Sequence, residues 1–125
     1  TLDRSSAASD VYKRQGIMVS NHGGRQLDGS RAPFDQLAEI CDAVGDKIDV
    51  VCEGGIQRGT HVLKALSVGA KCCSIGRYYL YALAAAGQAG VARALKQLGV
   101  EVERDMKLMG VTRVDQLSRS NIRIR

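Results

Sequence analysis

Residues 48–76 read IDVVCEGGIQRGTHVLKALSVGAKCCSIG, and this stretch decides the fold. A short apolar run, Ile48 to Cys52, leads into a glycine-bearing loop from Glu53 to Gly59 and an amphipathic segment to Val68, which Gly69 is placed to end. Thr60 is placed to cap that helix. A second apolar run, Cys72 to Ile75, follows at once. Strand, loop, helix and strand at this spacing predict a βα unit feeding a parallel sheet. Toward the N-terminus, Gly16 to Ser20 (GIMVS) predicts another strand, followed by a polar loop through Arg31. A helix is then expected from about Pro33 to Val44, with Phe34, Leu37, Ala38, Cys41 and Val44 on one face and Pro33 in its first turn. Toward the C-terminus, a helical region starts near Tyr78 and weakens at Gly87 to Gly90. It resumes from Val91 to Met109, with Val91, Leu95, Leu98, Val102, Met106 and Met109 at helical spacing. Residues 110–125 predict a short helix and a basic tail.

Three such units make an α/β fold with two open strand edges, and a series of this kind normally continues until it closes or is covered. A closed eight-unit barrel takes about 250 residues. The expected architecture of residues 16–125 is therefore the C-terminal part of a (β/α)8 TIM barrel, its last three βα units plus a C-terminal helix. A small open α/β sheet is the alternative. An incomplete barrel is expected neither to fold stably nor to act alone, because its edges and core lack their cover. Residues 1–15, TLDRSSAASDVYKRQ, are rich in Ser, Ala and charge and show no apolar period. Their end, Asp10 to Gln15, resembles the in-frame translation of a transposon adaptor used in sequencing libraries. Residues 1–15 are accordingly read as non-native, with a genuine flexible arm as the alternative.

With 45% hydrophobic residues, one Pro and 14 Gly in 125 positions, the composition excludes a disordered or collagen-like chain. The 18 basic residues exceed the 13 acidic ones by +5, but they are scattered and only 4% of residues are aromatic. No stacking platform accompanies the charge, so nucleic acid is not an expected partner. No apolar run reaches the roughly 18–20 residues that span a bilayer. The N-terminus, with Asp3, Arg4 and Asp10, lacks the apolar core of a signal peptide. A cytoplasmic location is expected. The tail from Arg113 to Arg125, with four arginines against one aspartate, leaves peripheral contact with an anionic membrane or a neighbouring subunit open. Cys41, Cys52, Cys72 and Cys73 form no C-x-x-C pair, so buried reduced thiols are expected rather than disulfides or a metal site.

Parallel α/β proteins place their chemistry after the strands. After the first comes Ser20-Asn21-His22-Gly23-Gly24-Arg25. A histidine can take a proton near neutral pH, and an arginine three positions on can hold a carboxylate in its planar fork. The pair suits chemistry on a small carboxylic acid; a loop histidine bonded to backbone beside an exposed arginine is the plainer alternative. Glu53-Gly54-Gly55-Ile56-Gln57-Arg58 and Ile75-Gly76-Arg77 follow the next two strands. Glycines leading into helix N-termini expose backbone N–H groups to a phosphate, and in barrels the last two βα loops are its usual site. His61 and the tyrosines Tyr78, Tyr79 and Tyr81 read as structural, the tyrosines packing beneath their helix.

The segments SNHGGRQLDG (20–29), EGGIQRGTHVLKALSVGA (53–70), SIGRYYLYALAAAGQAGV (74–91) and ERDMKLMGV (103–111), with LSRS at 117–120, resemble the C-terminal part of FMN-dependent 2-hydroxy-acid oxidases and dehydrogenases. That is the family of glycolate oxidase, flavin-type lactate dehydrogenase and mandelate dehydrogenase. The resemblance implies an FMN-holding barrel of which this chain supplies strands six to eight, and oxidation of an (S)-2-hydroxy acid to the 2-oxo acid. It implies that His22 is the catalytic base and touches substrate, and that Arg25 binds the substrate carboxylate. Ser20 would lie near the flavin ring. Glu53, Gly54, Gly55, Ile56 and Gln57, with Gly76 and Arg77, would surround the ribityl chain and phosphate. The implied electron acceptor is oxygen, a quinone or a cytochrome, and the intact protein would be a homo-oligomer. Two positions depart from the family pattern: Glu53 stands where Asp is usual, and Gln57 where Arg is usual. Two alternatives are another FMN barrel, such as a type 2 isopentenyl diphosphate isomerase, and a non-catalytic phosphate-binding half-barrel.

Overall fold

The three apolar runs form one parallel sheet of strands β1 (Gly16–Val19), β2 (Asp49–Glu53) and β3 (Cys72–Ser74), in the order β1-β2-β3. The computed structural model describes residues 15–123; residues 1–14, nearly all of the segment read as non-native, lie outside the described residues, as do 124–125. Cys52 sits opposite Val19 on one side and Cys73 on the other, which fixes the register across the sheet. The crossovers are helices α1 (Pro33–Val44) and α2 (Gly59–Val68). Strand side chains alternate in direction, so Val50 and Cys52 share one face, and there they meet Leu37, Ile40 and Val44 of α1 and Ala65 and Val68 of α2. Leu37 is fully buried at the centre of this cluster. Burying a leucine of this kind stabilises by roughly 1.5–3 kcal/mol.

The helix predicted over Pro33–Val44 has those bounds, and its first turn carries Pro33, whose fixed φ suits the start of a helix. Its buried face is Pro33, Leu37, Ile40 and Val44, so the expected apolar stripe is rotated: Phe34 is exposed and Ile40 takes a core position. Helix α2 begins at Gly59 with Arg58 as its N-cap, and no side chain of its own caps it, so Thr60 does not play the expected part. Gly69 ends α2 at φ +128, as expected. The second and third strands end within a residue of their expected limits.

Helix α3 (Arg77–Met109) runs through the weakened region, with a break in helical geometry at Ala86 and Gly87. It packs on α2, and the approach is close: a side chain at Gly59 would place its Cβ 2.6 Å from the Val102 nitrogen. None of the six residues of the expected apolar stripe is fully buried, and the buried positions are Glu101 and Asp105. One neighbouring helix covers only part of a stripe that wide. Tyr79 and Tyr81 are exposed rather than packed beneath the helix. Cys72, expected to be buried, is exposed on the edge strand β3, while Cys52 is buried and Cys41 and Cys73 are half-buried. After α3 the chain returns across α1 and α2. Arg119 ties it there, donating to both carboxylate oxygens of Asp42 at 2.6 and 3.1 Å and to the carbonyls of Val68 and Ala38 at 3.2 and 3.3 Å.

Candidate active site

Parallel strands end at the same side of their sheet, so the segments after β1, β2 and β3 form one cluster. After β1, Ser20 and Asn21 shape a tight turn from their own side chains. The Ser20 Oγ accepts the His22 N–H at 2.9 Å, and the Asn21 Oδ1 accepts the Gly23 N–H at 3.1 Å. Short polar side chains compete in this way with regular structure and set local turns. The result places His22 at φ 54, in the left-handed region that a residue with a Cβ rarely adopts. His22 and Arg25 are both exposed on this turn.

After β2 the chain must bend sharply past α1. Gly54 has φ +121, and a Cβ there would lie 2.8 Å from the Pro33 Cγ, so only glycine fits. Ile56 buries its side chain and anchors the loop from below. Glu53 accepts a hydrogen bond from the Ser20 hydroxyl, which links the second loop to the first. The His61 Nδ1 lies 3.1 Å from the Gly55 carbonyl oxygen and 3.3 Å from the Gln57 nitrogen.

After β3, Gly76 is the N-cap of α3 and offers no side chain to the first free N–H groups of that helix. Such an end favours an anion. The Arg77 guanidinium donates to the Gly23 carbonyl at 3.1 Å, which ties the third loop to the first. A cavity of about 50 Å³ opens between the loops. Of the residues predicted to hold a cofactor, Glu53, Gly54, Gly55, Ile56, Gln57, Gly76 and Arg77 line it, together with Gly23 and Tyr78. Ser20, His22 and Arg25 do not; they sit beside it on the first turn. A larger cleft of about 600 Å³, walled by Phe34, Leu63, Leu108, Met109 and Ile122 among others, contains no residue of the three strand-end loops. Asp35, Lys64 and Asp105 also line it, but none of the residues expected to bind substrate or cofactor does.

Sequence reasoning missed Asn21 and Glu101. Asn21 had a signal, being an Asn next to glycines, where such side chains set turns. Glu101 had none: its carboxylate comes from α3 to accept the Gly59 N–H at 2.9 Å and the Arg58 Nε–H at 3.1 Å. These partners, the Gly59 N–H foremost, hold its pKa below the usual carboxylate range against the opposing effect of burial. It caps α2 from another helix and so fixes the end of the glycine loop. No cysteine lines the cavity, and burial pushes Cys52 up to about 11 and Cys73 up to about 12, far from the thiolate a nucleophile needs. Among the described residues, no group of three or more His, Cys, Asp or Glu is placed to hold a metal ion.

Parallel βα units whose glycine loops and one arginine converge on a small cavity, beside an exposed histidine and arginine, define an α/β protein whose strand ends gather the residues expected to meet an anionic ligand. The family described as FMN-dependent dehydrogenase matches residues 7–124, a range that begins inside the segment read as non-native. A cytochrome-type L-lactate dehydrogenase of Wickerhamomyces anomalus is 46% identical over 109 residues, covering 83% of this chain and 19% of that protein. An L-lactate oxidase of Nostoc sp. is 44% identical (92% and 32%), and 2-hydroxyacid oxidase 2 of Rattus norvegicus is 49% identical (83% and 30%). Among solved structures, mandelate oxidase with benzoylformic acid superposes with a TM-score of 0.89 at 41% identity, covering 95% of this chain and 35% of that one. A flavocytochrome b2 variant with pyruvate bound gives 0.86 at 42% identity (92% and 30%). The chain belongs to the FMN-dependent dehydrogenase family. It spans about a third or less of the length of the curated relatives it matches. Among the described residues, no helix is long and apolar enough to cross a membrane.

Proposed function

We propose that this chain carries the proton-accepting and carboxylate-binding loop, and the phosphate end of the FMN site, of an enzyme that oxidises a small (S)-2-hydroxy acid to its 2-oxo acid. In this reading residues 16–125 are the last three βα units and closing helix of a (β/α)8 barrel, and residues 1–15 are non-native. The observation that carries the proposal is the convergence of the loops. Ser20 joins Glu53, Arg77 joins the Gly23 carbonyl, and the His22 turn is thereby fastened to the rim of the glycine-lined cavity. Relatives named for lactate and hydroxyacid oxidation support the substrate class and do not favour an isomerase.

The residues present fit the phosphate end of FMN. Two glycine loops offer backbone N–H groups, the N-terminus of α3 has no side-chain cap, and the exposed Arg77 supplies a cation. Gln57 is neutral, so Arg77 carries the positive charge among the cavity residues. When bound, FMN supplies the acceptor for the two electrons released from the substrate. Arg25 binds the substrate carboxylate and so fixes the orientation of the α-carbon. The His22 imidazole, held out from the turn by the Ser20 and Asn21 hydrogen bonds, takes the proton released as the hydroxy acid becomes an oxo acid.

The electron acceptor is oxygen, a quinone or a cytochrome, the protein is a homo-oligomer, and its location is cytoplasmic with peripheral membrane contact through the basic tail as one arrangement. Isolated residues 16–125 are inactive and do not melt cooperatively. Formation of 2-oxo acid by the full protein tests the assignment. Arg25→Lys is expected to raise KM for a 2-hydroxy acid by about tenfold or more, because an ammonium does not reproduce the planar fork. An unchanged KM removes Arg25 from the site.

A further inference from the structure

We propose that His61 is the positioning residue of the Gly55–Gln57 loop, holding it in the shape that receives a phosphate; this rests on the FMN reading above. The loop has little stiffness of its own. Gly54 and Gly55 both lie at positive φ, +121 and +75, where glycine backbone moves freely between wells. Its charge contribution is also small, since Gln57 is neutral. What the loop offers an anion is therefore the direction of its backbone N–H groups, and that direction depends on the loop's conformation.

Residue 61 is in the first turn of α2, a fixed element whose start is held by Glu101. From there one ring nitrogen reaches both sides of the bend, 3.1 Å from the Gly55 carbonyl and 3.3 Å from the Gln57 N–H. Without a proton the Nδ1 accepts from Gln57, and with one it donates to Gly55. Either bond ties the loop to the helix. Ile56 anchors the same bend through its buried side chain, so the loop is held at two points. His61 itself does not line the cavity and acts on a ligand only through the loop.

The test uses the full protein, stripped of flavin, titrated separately with FMN and with riboflavin, which lacks the phosphate. The wild type is expected to bind FMN more tightly than riboflavin. His61→Ala is expected to weaken FMN binding about tenfold, in line with the loss of one hydrogen bond and some loop order, while riboflavin binding stays as it was. His61→Asn, whose amide carries both an acceptor and a donor, is expected to recover most of the preference. Three results overturn the inference: an unchanged FMN-to-riboflavin ratio in His61→Ala, an equal loss for both flavins, or an Asn variant no better than Ala. A wild type that does not distinguish FMN from riboflavin overturns the phosphate reading itself, and the inference falls with it.

Discussion

At the strand ends, polar side chains serve exposed backbone: Ser20 and Asn21 accept N–H groups of the His22 turn, and Arg77 reaches the Gly23 carbonyl. On α3 the arrangement is inverted. Glu101 and Asp105 are 7% and 8% exposed, while Leu95 and Leu108 are 49% and 80% exposed. Glu101 accepts both of its hydrogen bonds on Oε2, whereas one carboxylate oxygen of Asp105 is buried without a hydrogen-bond partner, its other oxygen being held by Arg104 at 2.8 Å. The two regions answer different demands. Loop polar groups hold a strained turn on which His22 and Arg25 stay exposed, whereas the helix carboxylate Glu101 ties one element to another.

Substitutions break this comparison along separate axes. The largest expected effect is on chemistry: His22→Ala should lower kcat by about 100-fold or more, the range for loss of a general base, with its melting temperature close to that of the wild type. Turnover near the wild-type rate sinks the assignment of the base. Leu37→Ala should do the reverse, costing about 2–5 kcal/mol in denaturant unfolding through the cavity it leaves, with kcat of the remaining folded enzyme little changed. Gly54→Ala joins the two regions, since its Cβ meets Pro33 and its φ is strained. A loss of about 1–3 kcal/mol is expected, together with weaker FMN binding, and an Ala variant of full stability contradicts the fit described at that position.

The smallest effect is expected on α3. Glu101 has its folded pKa shifted below the unfolded value of about 4.3, so its stabilising contribution is complete above that value and is lost as pH falls through the lower folded one. Glu101→Gln should therefore melt below the wild type at neutral pH, and the gap should close under acid conditions. A gap that stays constant with pH means that the Gly59 and Arg58 contacts do not depend on the charge.

The strand-end region was the more legible of the two in the sequence. Its glycine runs and helix starts follow local rules, so the βα order, the bounds of α1 and the helix stop at Gly69 could be read directly. Seven of the eight residues expected to hold the cofactor line one cavity, because a parallel sheet brings their loops together regardless of sequence distance. Features set by distant partners were not legible. Thr60 had the chemistry of a cap, yet the Gly59 N–H is taken by Glu101, 42 residues away. The stripe on α3 has the helical period, but period does not say how many neighbours cover it. Cys72 has the pattern of a core residue, but in this three-stranded sheet β3 has a neighbour on one side only and the thiol is exposed. His61, expected to be structural, reaches both sides of the glycine loop from α2, a contact that sequence distance alone does not reveal.

The central claim is that these loops oxidise a 2-hydroxy acid at FMN, and anaerobic mixing tests it most directly. The full protein, loaded with FMN, is mixed with an (S)-2-hydroxy acid such as lactate, glycolate or mandelate, and the flavin absorbance is followed. Rapid bleaching in the wild type and none on the same timescale in FMN-loaded His22→Ala is the predicted result. Absence of bleaching with every 2-hydroxy acid tried, or bleaching equally fast in His22→Ala, contradicts it.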